Sequence, residues 1–212
     1  MPTITTNDLE VVFPGSVKDD IIVEELKNGT EIIALKNVSN LETTVTGTAA
    51  FVGKGVSNSP VVLESTKKNT PKIVLQNAYF SLSEIKVSGK GSGEVKTNNG
   101  IFRNNTFTGG KKNDSVSFKG NSIVNNNKFN LGKGGDSITF SKATTFKGKT
   151  TINLVPGGKD FVKFGKNLKT QKGSVLIKNF ERKDILKVGK KTVDYNDIKN
   201  GDQIPGIEIR LA

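Results

Sequence analysis

The chain contains no cysteine and no histidine. The first absence excludes a disulfide framework and a thiolate zinc site. The second removes the usual general base, the Ser-His and Cys-His nucleophile pairs and the commonest transition-metal ligand in one step. No run approaches the about eighteen apolar residues of a membrane-spanning helix, and the opening MPTITTNDLEVVF lacks the basic-then-apolar layout of a cleavable signal. Arginine is scarce, at Arg103, Arg182 and Arg210 only. Carboxylate chemistry on a sugar polymer and hard-cation binding by oxygen ligands remain open.

What is present is polar and small. Apolar residues make up 33% of the 212, and Gly, Asn, Ser, Thr and Lys dominate the rest. That composition suits many short strands separated by turns and argues against long amphipathic helices. The formal charge is +12, unevenly placed: residues 1–60 hold four lysines against eight acids, and residues 61–212 hold 28 basic and 12 acidic residues. A basic region of this kind raises the question of nucleic acid. The lysines sit singly at turns and on alternate strand positions, with few arginines and no interleaved stacking aromatics, so a nucleic-acid interface is disfavoured. A lysine-coated sheet surface, protected from edge aggregation, is the simpler reading.

The decisive feature is a repeat. Asp114-Ser-Val-Ser-Phe118, Asp136-Ser-Ile-Thr-Phe140, Asp160-Phe-Val-Lys-Phe164 and Asp184-Ile-Leu-Lys-Val188 follow one another at 22, 24 and 24 residues. In each, the second and fourth residues after the aspartate are large and apolar: Val116 and Phe118, Ile138 and Phe140, Val162 and Phe164, Leu186 and Val188. Period-two alternation puts both on one strand face, so these eight form a structural core ladder. A second ladder, Asn130-Leu131, Asn153-Leu154 and Asn179-Phe180, precedes each aspartate, its asparagines stacking at a bend. A third alternating segment follows, as in NSIVNNN, ATTFKG, KNLKT and KTVDY.

Three strands per unit predict an all-β chain: a right-handed parallel β-helix, or solenoid, of about 22–24 residues per coil with capped ends and seven or eight coils. An antiparallel sandwich explains the alternation but not the fixed period. The expected divisions are an acidic N-terminal cap over 1–30, the β-helix over 31–190 with its clear repeats at 105–190, and a C-terminal cap over 191–212. Earlier strands are expected at TEIIALKN, SPVVLES, TPKIVLQNAYF and SEIKVSG, the last with Ser83 at the aspartate position.

GGKKNDSVS (109–117), LGKGGDSIT (131–139) and VPGGKDFVK (155–163) resemble the nine-residue G-G-x-G-x-D-x-U-x motif of the hemolysin-type, repeat-in-toxin calcium-binding family. IKNFERKDILKV is similar to an element that often follows such repeats. The likeness covers about residues 105–195 and is greatest to divergent, lysine-rich versions from marine cyanobacteria and their phages. It implies a β-roll with calcium held between coils, here by a ladder of Asp114, Asp136 and Asp160, and export that reads an uncleaved C-terminal signal. The sequence departs from the family in having one motif per coil instead of two, with Lys112 in place of a glycine and Lys133 and Lys159 close to the aspartates. Calcium takes six to eight oxygens. The departures therefore favour an Asx-type turn, in which the aspartate accepts from nearby backbone N–H groups, over a metal cage.

These readings converge on a non-catalytic extracellular or particle-surface solenoid: a surface, matrix, adhesion or filament subunit, with a phage fibre, spike or capsid decoration as the alternative. Polysaccharide binding or degradation is the competing class, because β-helices that cut polysaccharides use converging carboxylates. No second acid accompanies the aspartates at a fixed offset, so catalysis is not expected. No cofactor is expected, calcium being the one ligand the resemblance implies. The expected partners are other copies of the chain, joined head to tail through an acidic first end and a basic last end, and an anionic surface or glycan facing the lysines.

Overall fold

The computed structural model describes residues 3–12, 21–166 and 169–212, and the backbone alone for 169–173. The chain winds as a three-sided parallel β-solenoid of about seven turns. Its first face carries the strands Gly29–Ala34, Thr48–Gly53, Lys72–Gln76, Glu94–Asn98, Ser115–Lys119, Ser137–Phe140, Phe161–Phe164 and Ile185–Val188, each paired in parallel with the next. The register pairs Val95–Val116, Val116–Ile138, Ile138–Val162 and Val162–Leu186 advance the chain by 21, 22, 24 and 24 residues.

A short second face runs through Gly55–Ser57, Tyr79–Ser81, Ile101–Arg103 and Ile123–Asn125. The third runs through Glu42–Val45, Val61–Ser65, Glu84–Gly89, Thr106–Thr108 and Lys128–Asn130. The long strand Thr145–Asn153 continues both, its start on the second face and its end on the third.

The abundance of asparagine has a backbone cause. Turning a corner within one residue takes the left-handed region, which asparagine tolerates better than any other side-chain-bearing residue. Asn77 and Asn99 hold φ near +50° between the first and second faces; Asn58, Asn104 and Asn126 do so between the second and third. Leu82 occupies the same rung as these last three, at φ 52°, and is 60% exposed.

Inward residues of all three faces meet in one core. Among the described residues ten phenylalanines are fully buried, including Phe118, Phe140 and Phe164. Phe118 and Phe164 each stack on Phe140, with ring centroids 5.1 Å apart and planes within 10°. Val116, Ile138, Val162 and Leu186 are buried beside them, whereas Val188, on the last strand of this face, is only partly covered. Each buried aromatic contributes about 1.5–3 kcal/mol through its apolar area, and one coil alone has no partner surface to bury it against.

Both ends reverse the pairing. Leu9–Val12 lies antiparallel on Glu42–Val45, and Ile21–Leu26 antiparallel on Gly29–Ala34. At the far end KTVDY does not supply the expected parallel strand. The two-residue turn Gly189-Lys190, with Gly189 at φ 62°, folds Lys191–Val193 back antiparallel on Ile185–Val188. Asp194 then caps the short helix Tyr195–Lys199. Within the expected cap, Ile207–Leu211 returns to the parallel stack against the strand ending at Phe180. In KNLKT, residues 167 and 168 lie outside the described residues.

The charge is placed differently from the two-ended arrangement expected. Residues 181–212 hold seven basic and six acidic residues, so the C-terminal cap is nearly balanced. The excess of positive charge belongs to the middle coils.

Candidate functional site

The aspartates line the corner between the third and first faces, and all four are buried. Their carboxylates do not face solvent. Asp114 Oδ1 accepts from the backbone N–H of Gly93 at 2.7 Å, Asp136 Oδ1 from Asp114 N–H at 2.6 Å, Asp160 Oδ1 from Asp136 N–H at 2.9 Å and Asp184 Oδ1 from Asp160 N–H at 3.0 Å. Each rung thus caps the coil before it. The turn geometry expected from the sequence is present as well: Gly110 N–H donates to Asp114 Oδ2 at 2.6 Å, and Glu181 N–H to Asp184 Oδ2 at 2.8 Å.

The glycines of the motif allow these turns to stack. A side chain on Gly109 would sit 1.8 Å from the Leu131 carbonyl oxygen, and one on Gly134, at φ 127°, 2.7 Å from the Lys112 backbone.

Burial raises the carboxyl pKa along the ladder. Desolvation pushes Asp136 up to about 8, with the neighbouring Asp114 and Asp160 charges adding to it and the Asp114 N–H opposing it. Asp160 is pushed up to about 6, again chiefly by desolvation. Asp114 and Asp184 are raised for the same reason, against two backbone hydrogen bonds each. Asp136 Oδ2 is buried without a partner. A neutral carboxyl fits this desolvated environment better than a carboxylate.

The structure therefore brings Asp114, Asp136 and Asp160 into one column but not into a cage. Among the described residues no three acidic side chains gather in an arrangement that holds a metal ion. Each Oδ1 is committed to an N–H group of the preceding coil, and the one further carboxyl oxygen per coil does not supply the six to eight that calcium takes, so the residues do not fit that ion.

A second, neutral ladder lines the corner between the second and third faces, and sequence reasoning missed it. Ser59 Oγ accepts from Leu41 N–H, Ser83 Oγ from Ser59 N–H, Asn105 Oδ1 from Ser83 N–H and Asn127 Oδ1 from Asn105 N–H, at 2.8–3.0 Å. The two amides also donate to the Phe80 and Phe102 carbonyls, at 2.9 and 2.7 Å. Ser83 belongs here and not, as expected, to the aspartate column. Gly93 takes that rung, because Glu84–Gly89 lies on the third face. The small polar residue two before an inward apolar one, as in Ser59-Pro-Val61, Ser83-Glu-Ile85, Asn105-Thr-Phe107 and Asn127-Lys-Phe129, was the available signal.

Outside the aspartate column the surface of the middle coils is cationic. From residue 95 to residue 180 the sequence has sixteen lysines and arginines and three acids, and those three are the buried Asp114, Asp136 and Asp160. Among the described residues of this stretch only Lys96 has an ion-pair partner, Glu94 at 2.7 Å. Lys112, Lys133 and Lys159 are exposed on the turns that cover the buried aspartates. A shallow groove of about 470 Å³ opens on the same corner, lined by Lys67, Lys90 and Lys112 with Thr70, Ser92 and Asn113. The second face bears a larger one of about 670 Å³, around Tyr79, Leu82 and Ile101.

The fold and this surface define a β-solenoid with a cationic middle. No protein-family model, curated protein or solved structure matches the chain. No helix among the described residues is long and apolar enough to cross a membrane.

Proposed function

We propose that the protein is a non-catalytic structural solenoid of a cell surface, an extracellular matrix or a phage particle, attached through its basic middle coils to an anionic polymer. One observation carries the reading: over residues 95–180 every acidic side chain is turned into the core, and the basic ones whose side chains are described stand outside it. Like charges stacked one coil apart repel one another at a spacing of about 4.8 Å, and a polyanion relieves that repulsion. The likeness of the repeat to exported hemolysin-type proteins agrees with a surface location.

A catalytic role draws no support from the aspartates. Their Oδ1 atoms serve as acceptors for backbone N–H groups of neighbouring coils, which leaves no carboxyl pair facing a substrate. The test is a pull-down of the full chain on immobilised dextran sulfate and on uncharged dextran, with release of unsaturated or reducing sugars assayed in parallel. Retention on the sulfated matrix alone, without sugar release, is the expected result; equal behaviour on both matrices contradicts the reading.

End-to-end self-association is favoured by a separate observation. Among the described residues, Thr3–Thr5 at one end and Ile207–Leu211 at the other each pair with one strand only, Ile207 adding a single bridge to Ile204, which leaves sheet edges open. Light scattering across a concentration series checks it, with growth in mass expected and a constant monomer mass contradicting it.

A further inference from the structure

We propose that the groove between Lys67, Lys90 and Lys112 is an anion subsite for a linear sulfated or carboxylated polysaccharide, whose chain continues along the lysines of the same corner. The inference rests on the polymer-attachment reading above and names the place and the ligand class.

The groove has a built floor. Thr66 Oγ1 accepts from the N–H groups of Lys68 and Asn69, at 3.2 and 3.0 Å, and Thr66 N–H donates to the Asn69 carbonyl, so the loop carrying Lys67 is a closed turn. The next coil is tied beneath it: Lys90 N–H bonds the Ser65 carbonyl and Gly91 N–H bonds Ser65 Oγ, both at 3.1 Å. A side chain at Gly91 would lie 2.0 Å from the Thr66 carbonyl oxygen, so this approach is restricted to glycine. Three exposed lysines, three hydroxyl side chains and an amide line the space, and no acid does. Ammonium groups held together in one concavity suit an anionic oxygen group better than they suit one another.

The path beyond the groove follows from the stacking of the turns. Lys133 N–H bonds the Gly110 carbonyl at 3.0 Å, which sets Lys133 against Lys111 in the coil before it. Lys159 packs its backbone on Gly135 in the same corner. Successive coils therefore offer cations at a rise of about 4.8 Å, of the same order as the repeat of a pyranose chain. Single-stranded nucleic acid is served by aromatic platforms for its bases, and the groove has none.

The test measures binding of the full chain to dextran sulfate, polygalacturonate, uncharged dextran and an oligo-dT strand at near-physiological salt. Two variants remove equal charge: Lys67→Ser/Lys90→Ser/Lys112→Ser in the groove, and Arg103→Ser/Lys128→Ser/Lys147→Ser on the second and third faces. The groove variant is expected to weaken binding of at least one acidic polysaccharide about tenfold or more, and the control variant about twofold to threefold. Equal losses overturn the subsite and leave the cationic-rod reading standing. Failure of the unmodified chain to bind either acidic polysaccharide overturns both. Oligo-dT bound as tightly, and lost in the groove variant, overturns the ligand class. Thermal unfolding midpoints confirm that the variants fold; should the groove triple not fold, Lys112→Glu alone is expected to give the loss, and unchanged binding overturns the subsite.

Discussion

Asp136 Oδ1 accepts a hydrogen bond from the backbone N–H of Asp114 at 2.6 Å, although the two residues are 22 apart in sequence. The contact repeats down the column and explains why the aspartate recurs once per coil. It supplies the acceptor that closes the gap between one turn and the next where the strand ladder is interrupted. The same role is filled at another corner by Asn105 and Asn127, which carry no charge.

This comparison predicts a pH dependence with a definite sign. Asp136 and Asp160 have folded-state pKa values raised to about 8 and about 6. The native state therefore holds protons that the unfolded chain releases near pH 4. Their contribution is fully present below about pH 4 and is lost as pH rises through 6 and then 8. Asp136→Asn keeps the acceptor for Asp114 N–H and removes the titration. The variant is expected to exceed the parent in stability at pH 8 and to converge with it near pH 4–5, read as urea midpoints across pH. A constant offset at every pH contradicts the assignment.

Removing a rung of the neutral ladder has a predictable cost. Asn105→Ala leaves Ser83 N–H without its acceptor and the Phe80 carbonyl without the amide donor. The expected loss is about 2–4 kcal/mol, since each buried group left unpaired costs about 1–3 kcal/mol. Asn105→Ser, the residue used at the Ser59 and Ser83 rungs, restores an acceptor and is expected to recover about half. Equal denaturant midpoints for the two variants refute the ladder as the cause.

Among the described residues Leu82 is the one large apolar residue at a left-handed corner, where its neighbours along the column are asparagines. A non-glycine residue in this conformation costs roughly 1–2 kcal/mol, and asparagine less. Leu82→Asn is expected to raise stability by about 1 kcal/mol while removing an exposed apolar group. A loss of stability would show instead that Leu82 packs against something in the second-face groove.

Phe140 lies between Phe118 and Phe164 at 5.1 Å from each. Truncation to alanine opens a cavity that stacked coils cannot close, at a cost of about 3–5 kcal/mol. Phe161, on the outer side of the same face with Lys187 5.8 Å from its ring centroid, serves as the control. Its alanine variant is expected to lose about 1 kcal/mol or less.

The solenoid was legible in the sequence because the core pair is written the same way in coil after coil: Val116 and Phe118, then Ile138 and Phe140, then Val162 and Phe164. Alternation identifies a strand but not its face, and this is why the sequence pattern of Ser83 and the strand after it resembles the aspartate column although they lie at the neighbouring corner. The aspartate was legible as a turn residue, whereas its bond to the preceding coil is a long-range contact that local spacing does not encode. KTVDY reads as another strand, and it is one, but Gly189-Lys190 makes a hairpin where the other coils make a corner. The basic middle was present in the composition all along. A two-ended view of the charge does not show it, because the acids of the last thirty residues balance the cations of the C-terminal cap.

The central claim is that the middle coils bind a polyanion by charge. The most direct measurement is titration of the full chain with dextran sulfate at increasing salt. The account predicts binding at about 50 mM salt that weakens at least about tenfold by 0.5 M, where the screening length has fallen to a few ångströms, together with no binding of uncharged dextran. Absence of binding at low salt, or an affinity indifferent to salt, would contradict it.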